Sequence, residues 1–124
     1  MLGAALSVPK FFIQGDPKHF PVSAPTTPGT IQTLLSITVP ANISRDIWQL
    51  VITCRISGEF RILVGRTLIG SGLISAAETN VVFPWFPPQT ATVGQVISVT
   101  FLQRPCTPPT NVDAYLMCAD REEC

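Results

Sequence analysis

The chain has a single histidine, His19, which lies in a proline-rich segment between Lys18 and Phe20. Most enzymes need a titratable group whose pKa lies near neutral pH, and histidine is the usual choice. A lone histidine in such a segment is typical of a solvent-facing or packing residue. We therefore predict that the chain has no catalytic residue and is not an enzyme.

The carboxylates and thiols also lack the spacing that catalysis or metal binding requires. Asp46 and Glu59 are predicted to lie in turns, and no pair of carboxylates suggests the separation of about 5 Å that a retaining glycosidase needs. Cys118 and Cys124, with Asp120 between them, come nearest to a metal site. A metal site needs several ligands on a fixed scaffold, so the sequence predicts neither a metal nor a cofactor.

The positions of the cysteines favour reduced thiols over disulfides. Cys54 and Cys118 lie on the apolar faces of predicted strands, where a free thiol behaves as a small hydrophobe. No Cys-x-x-Cys pair occurs. The start of the chain does not resemble a signal peptide, which favours synthesis in a cytoplasm, where disulfides are rare.

The segment Phe83-Pro-Trp-Phe-Pro-Pro88 concentrates aromatic residues between prolines. A tryptophan at the end of a strand usually fills the core. Alternatively, Trp85 and Phe86 could form an exposed platform that binds another subunit or a sugar ring, because tryptophan is common in binding hot spots. The sequence leaves these interpretations open, and Trp85 and Phe86 are candidate partner-binding residues.

Residues 1–30 are predicted to form an extended N-terminal arm, because the prolines at positions 9, 17, 21, 25 and 28 exclude a helix or an inner strand. Within it, Phe11, Phe12 and Ile13 form a short apolar cluster. The cluster could fold back over an edge of its own domain, dock on a neighbouring subunit or remain disordered. These three residues are the first candidates for partner binding.

The segment Ile47–Ser57 alternates between apolar and polar residues, as a strand with one buried face does. Its predicted inward face holds Trp48, Leu50, Ile52, Cys54 and Ile56. Ser57-Gly58-Glu59 is then predicted to turn tightly into a strand from Phe60 to Val64.

Similar short strands, separated by proline and glycine turns, continue to Ala119. Seven or eight strands without helical crossovers predict an antiparallel β-sandwich of the jelly-roll or Greek-key type. The domain is predicted to span residues 31–119, and residues 120–124 to form a tail.

Composition narrows the classes of partner. Only 13% of the 124 residues are charged and 46% are hydrophobic, whereas charged residues make up about a quarter of an average globular protein. Because charged surfaces resist association, we expect partner subunits to cover part of this surface. The net charge of zero gives no basis for nucleic-acid binding, and no apolar run reaches the ~18 residues of a membrane span.

Four arginines lie in the middle of the chain, two of them at outward positions of predicted strands. Most simply they form a solvated face, and ion pairs between subunits are the alternative. The four are Arg45, Arg55, Arg61 and Arg66.

Several short motifs follow one another along the chain. They are Val39-Pro-Ala-Asn42, Trp48, Gly58-Glu-Phe-Arg-Ile62, Ile69-Gly-Ser-Gly72, Asn80-Val-Val-Phe-Pro-Trp85, Val93-Gly-Gln95 and Val112-Asp-Ala-Tyr-Leu-Met117. Their order resembles that of small jelly-roll virion proteins of tailed bacteriophages. The resemblance covers about residues 30–119 and carries over no functional residue.

This resemblance implies a structural role in repeated copies on a symmetric particle. We expect a capsid decoration (cement) protein on the virion surface, made in the host cytoplasm and bound to the major capsid protein or other virion subunits. A homo-oligomer is expected, with a trimer favoured. The alternative is a tail- or fibre-associated adaptor, or a receptor-binding module that recognises carbohydrate.

Overall fold

A computed structural model describes residues 15–75 and 79–122, and within these ranges the chain forms strands and no helix. The bounds of the strands are β1 Asp16–Pro25, β2 Ile31–Thr38, β3 Ile43–Cys54, β4 Gly58–Val64, β5 Thr67–Ile74, β6 Asn80–Ala91, β7 Val96–Gln103 and β8 Asn111–Glu122.

The strands form two antiparallel four-stranded sheets that pack as a sandwich. Sheet A has the order β1-β8-β3-β6 and sheet B the order β2-β7-β4-β5. Two Greek keys wound into two sheets in this order are an eight-stranded jelly roll. The predicted fold class is therefore confirmed.

The core lies between the sheets and is built from every second residue of each strand. In β7, the inward residues Ile97, Val99 and Phe101 are almost fully buried, while Ser98 and Thr100 between them face outward. Burying a large apolar side chain contributes about 1.5–3 kcal/mol. This alternation holds each strand in its register, because a shift by one residue would expose the apolar set.

The sandwich begins earlier than the sequence predicted, because residues 16–25 of the predicted arm form β1. This strand pairs with β8 along its whole length, from Asp16 opposite Asp120 to Pro25 opposite Asn111. Its prolines are tolerated because β1 is an edge strand, where a missing N–H group breaks no ladder on the free side. The sandwich also extends further at the other end, since β8 runs to Glu122.

The predicted hairpin at Ser57-Gly58-Glu59 is wrong. β3 lies in sheet A and β4 in sheet B, so the chain crosses here from one sheet to the other. Gly58 is needed for close packing, because a Cβ atom on it would lie 2.8 Å from the carbonyl oxygen of Leu102 and would collide with the ring of Phe101.

A β-bulge removes Trp48 from the inward face on which the sequence placed it. The pairing of β3 with β8 shifts between Ile47 and Gln49, which leaves Trp48 as the extra residue. Ile47 and Leu50 belong to the core between the sheets, and Trp48 does not. A bulge breaks the two-residue period of a strand, so simple alternation fails at this position.

Candidate binding surfaces

The structure separates the predicted partner-binding residues. Phe11, Phe12 and Ile13 lie outside the residues that the structure describes. Trp85 is buried, with 6% of its surface exposed, whereas its neighbour Phe86 is 78% exposed. The exposed Trp85-Phe86 platform does not form, because successive residues of a strand point to opposite sides of the sheet.

Trp85 joins the two sheets at one side of the sandwich. Its Nε1–H group donates a hydrogen bond to the carbonyl oxygen of Ile69 in β5, at 3.0 Å. Its ring packs 4.9 Å from that of Phe83, measured between centroids. A buried indole whose N–H group is satisfied is a core residue, as one interpretation of the sequence had it.

Phe86 lies on the outer face of sheet A beside the bulged Trp48. The centroids of the two rings are 6.3 Å apart. Trp48 is itself only 8% exposed, and its Nε1–H group has no acceptor among the described residues. Phe86 is therefore the aromatic side chain of the Phe83–Pro88 segment that a partner can reach.

Sheet B carries an apolar patch on its outer face, which the sequence did not predict. The three most exposed members are Ile31 (65%), Leu68 (52%) and Leu73 (73%). Leu63 and Leu102 are half-buried between them. We call these five residues the leucine face. Large exposed apolar patches typically mark interaction sites.

One opposite-charge pair lies inside the leucine face. Glu59 and Arg61 both point outward from β4, and Arg61 Nε is 3.4 Å from Glu59 Oε2. Glu59 lies in the same cross-strand row as Leu102 and Leu73. Exposed pairs of this kind stabilise a fold by about 1 kcal/mol at most. The fold therefore depends little on this pair, and its charges can take part in a contact with a partner.

A second ion pair is buried between β3 and β8, against the expectation that Arg45 belongs to a solvated face. Arg45 Nε and Nη2 donate hydrogen bonds to Asp120 Oδ1 and Oδ2, at 2.6 and 2.8 Å. The guanidinium carbon also lies 4.9 Å from the ring centroid of Phe20 in β1. The hydrogen bonds that Arg45 donates to Asp120 raise the pKa of Arg45, so the guanidinium stays charged.

Asp46 was predicted to lie in a turn, but it is buried in β3. Its carboxylate accepts hydrogen bonds from Arg121 Nε at 2.9 Å and from Thr90 Oγ1 at 2.8 Å. These partners lie 75 and 44 positions away in sequence, and no local pattern indicates them. These interactions connect β3 to its neighbours β8 and β6, and they do not form a site that is open to a ligand.

Burial makes the Cys118 thiol hard to ionise. It raises the pKa of Cys118 from 9.0 to about 12, although nearby Arg45 acts in the opposite direction. Between about pH 9 and pH 12, the Cys118 thiol releases its proton in the unfolded chain but keeps it in the folded protein. Rising pH therefore favours unfolding. Wild type should therefore lose stability relative to Cys118→Ala, by up to about 1.4 kcal/mol per pH unit between about pH 9 and 12.

Urea unfolding of both proteins at several pH values measures this difference. The variant lacks the thiol and is expected to be less stable at neutral pH because of the lost packing, with the gap narrowing in alkali. A gap that stays constant up to pH 11 would contradict the raised pKa.

His19 lies on the outer face of sheet A and contacts one side chain of β8. Its Nδ1 atom is hydrogen-bonded to the Tyr115 hydroxyl, and the two rings stack with centroids 5.4 Å apart. Within residues 15–75 and 79–122, no group of three or more His, Cys, Asp or Glu residues could hold a metal ion. In the same part of the chain, no helix is long and apolar enough to cross a membrane.

Comparison with known proteins adds little. No protein-family model and no curated protein matches the chain. Among solved structures, the chain is similar to the crystal structure of the infectious bursal disease virus VP2 subviral particle, with 14% sequence identity and a TM-score of 0.37. The match covers 84% of this chain but only 32% of that chain. A likeness at this level does not bear on function.

Proposed function

We propose that the protein is a non-enzymatic structural component of a bacteriophage virion that decorates the assembled capsid and stabilises the junctions between capsomers. The observation that supports this best is the leucine face, a flat sheet surface on which Ile31, Leu68 and Leu73 are each more than half exposed. A soluble monomer gains nothing from such a surface, whereas a subunit of an assembly does, whether it binds capsid subunits or a further copy of itself.

The composition supports the same proposal. With 13% charged residues and no net charge, the protein lacks the mixed charge that keeps free domains apart. The ion pairs Arg45–Asp120 and Asp46–Arg121 take up several of these charges, and three of the four side chains are almost fully buried. The exposed surface is therefore even less charged than the sequence suggests.

The protein would act mechanically, by holding neighbouring capsomers together. The rigid jelly roll bridges a junction between capsomers, and the N-terminal residues Phe11, Phe12 and Ile13 lie on the shell. A specific interface buries about 1,600 Å² in total. Repeated copies on one particle reinforce each other, because every bound copy restrains the subunits that its neighbours hold.

The double variant Phe11→Ser/Phe12→Ser tests the arm. We expect it to fold like wild type, since it changes no core residue of the described sandwich, but to lose binding to capsids that lack the protein. The measurement is the number of copies bound per particle after purified protein is added to such capsids. Removing two buried phenylalanines from an interface should weaken binding at least about 100-fold.

Val93→Ser is the matched control, because it removes an exposed apolar side chain from the turn between β6 and β7. It should decorate normally. Circular dichroism and thermal unfolding verify that both variants fold. Decoration by the double variant at the wild-type copy number would contradict the arm model.

A tail or fibre adaptor remains the second candidate. The copy number per virion separates it from decoration, because decoration proteins cover the shell in many copies.

The carbohydrate-binding alternative is weakened by the burial of Trp85, since stacking on a sugar needs an exposed ring. Phe86 is the exposed ring of that segment, and a glycan array on wild type and Phe86→Ala would test it.

A further inference from the structure

We propose that two copies of the chain pair face to face through the leucine face, in contact across a two-fold axis. This goes beyond capsid binding, because it concerns how the protein associates with itself before any particle is present. The occupant that we assign to the leucine face is the leucine face of a second copy.

The first argument is the apolar surface itself. Leu73, Ile31 and Leu68 project from three places on sheet B, with 73%, 65% and 52% of their surfaces exposed. Ile31 and Leu68 border a shallow groove of about 300 Å³, which is also lined by Glu59, Arg61, Leu63, Thr100 and Leu102. Projecting side chains around a groove let the same surface supply both the knobs and the holes of a contact.

The second argument is charge complementarity. Glu59 and Arg61 are two residues apart on β4, on either side of the inward-facing Phe60. A two-fold axis that lies in the interface, perpendicular to β4 at Phe60, reverses the strand direction in the second copy. Glu59 of each copy then faces Arg61 of the other. Such self-complementarity is what an isologous contact requires.

The third argument is size. The four strands of sheet B are seven or eight residues long, so the sheet face has a flat footprint of roughly 500 Å². This footprint is smaller than the ~800 Å² per partner of a standard interface, as is typical of weak, reversible association. The face can thus support a reversible dimer without help from the arm.

The opposite face of the sandwich differs. On the outer face of sheet A, polar side chains already pair across the strands: Asp46 with Arg121, His19 with Tyr115 and Thr53 with Asn80. Val82 and Phe86 are exposed there, but Val82 lies beside these satisfied groups and Phe86 packs against Trp48. The outer face of sheet B is therefore the surface whose burial against a partner would stabilise a complex most.

Molecular mass in solution, measured by sedimentation over a range of concentrations, tests the proposal. We expect the full-length wild type to form dimers in the micromolar range. Leu73→Ser should raise the dissociation constant about tenfold or more, because two leucines are lost per dimer. Val82→Ser removes an exposed apolar side chain from sheet A and should leave the dimer intact.

Charge reversal tests the geometry. Glu59→Arg places like charges opposite each other and should produce monomers, as should Arg61→Glu. The double variant Glu59→Arg/Arg61→Glu exchanges the two charges and should restore the dimer. Circular dichroism checks that every variant is folded.

Several results would overturn the proposal: a wild type that stays monomeric at all concentrations, a trimeric mass, or dimers equally sensitive to Val82→Ser and Leu73→Ser. These results leave the capsid assay untouched. Conversely, a dimer with the expected variant behaviour that fails to bind any particle would contradict only the decoration function.

Discussion

Replacing Asp120 with alanine is expected to lower the free energy of unfolding by about 3–5 kcal/mol, because it leaves the Arg45 guanidinium buried without its counter-ion. Both side chains are at least 93% buried, with exposed fractions of 7% and 6%. Domains of this size are stable by only about 5–15 kcal/mol. Urea unfolding should therefore show a much lower midpoint for Asp120→Ala.

Two further variants make this prediction specific. Arg45→Met/Asp120→Leu replaces both charges with apolar side chains and should recover most of the loss, since apolar replacement of a buried pair is often neutral or stabilising. Arg61→Ala breaks the exposed pair with Glu59 and should change stability by about 1 kcal/mol or less. If Asp120→Ala cost no more than Arg61→Ala, the ion pair would not stabilise the fold as described.

Trp85→Ala is expected to cost about 3–5 kcal/mol, the usual range for removing a buried aromatic side chain. The substitution leaves a cavity between β5 and β6 and removes the hydrogen bond to the carbonyl oxygen of Ile69. Phe86→Ala, at the next position, should change stability by less than about 1 kcal/mol because Phe86 is largely exposed.

The same pair of variants decides between the interpretations of the aromatic segment. Trp85→Phe should fall between wild type and Trp85→Ala, because it keeps most of the packing but not the N–H donor. Comparable unfolding free energies for Trp85→Ala and Phe86→Ala would show that Trp85 does not belong to the core.

The fold class could be predicted because strand periodicity is a local property. In β7, Ile97, Val99 and Phe101 alternate with polar residues, and the structure buries all three. The order of strands in the sheets could not be predicted in this way. It depends on pairings such as β1 with β8, whose partner residues are about 86 to 104 positions apart.

The errors occur where a non-local interaction overrides the local pattern. The sequence pattern places Arg45 and Asp46 before a strand, as polar residues. They can be buried inside the strand only because the distant Asp120 and Arg121 pair with their charges. Trp48 reads as inward-facing until a bulge in β3 is known. No sequence signal marks a bulge when the surrounding residues are all compatible with a strand.

The candidate surface was predicted only in part. One interpretation of the sequence exposed Trp85 and Phe86 together, whereas the structure exposes only Phe86, because flanking prolines obscured the alternation of β6. The leucine face was missed because β5 has apolar residues in both directions, at Leu68, Ile69, Leu73 and Ile74. Pattern alone does not say which of them faces water.

The prolines of sheet A have a consequence for the behaviour of the protein at high concentration. Pro17, Pro21 and Pro25 lie on one edge strand, and Pro84, Pro87 and Pro88 on the other. A residue without an N–H group cannot extend a ladder of backbone hydrogen bonds. The prolines thus oppose the growth of sheet A into fibrils, and among the described strands β2 and β5 are the remaining edges at which polymerisation could start.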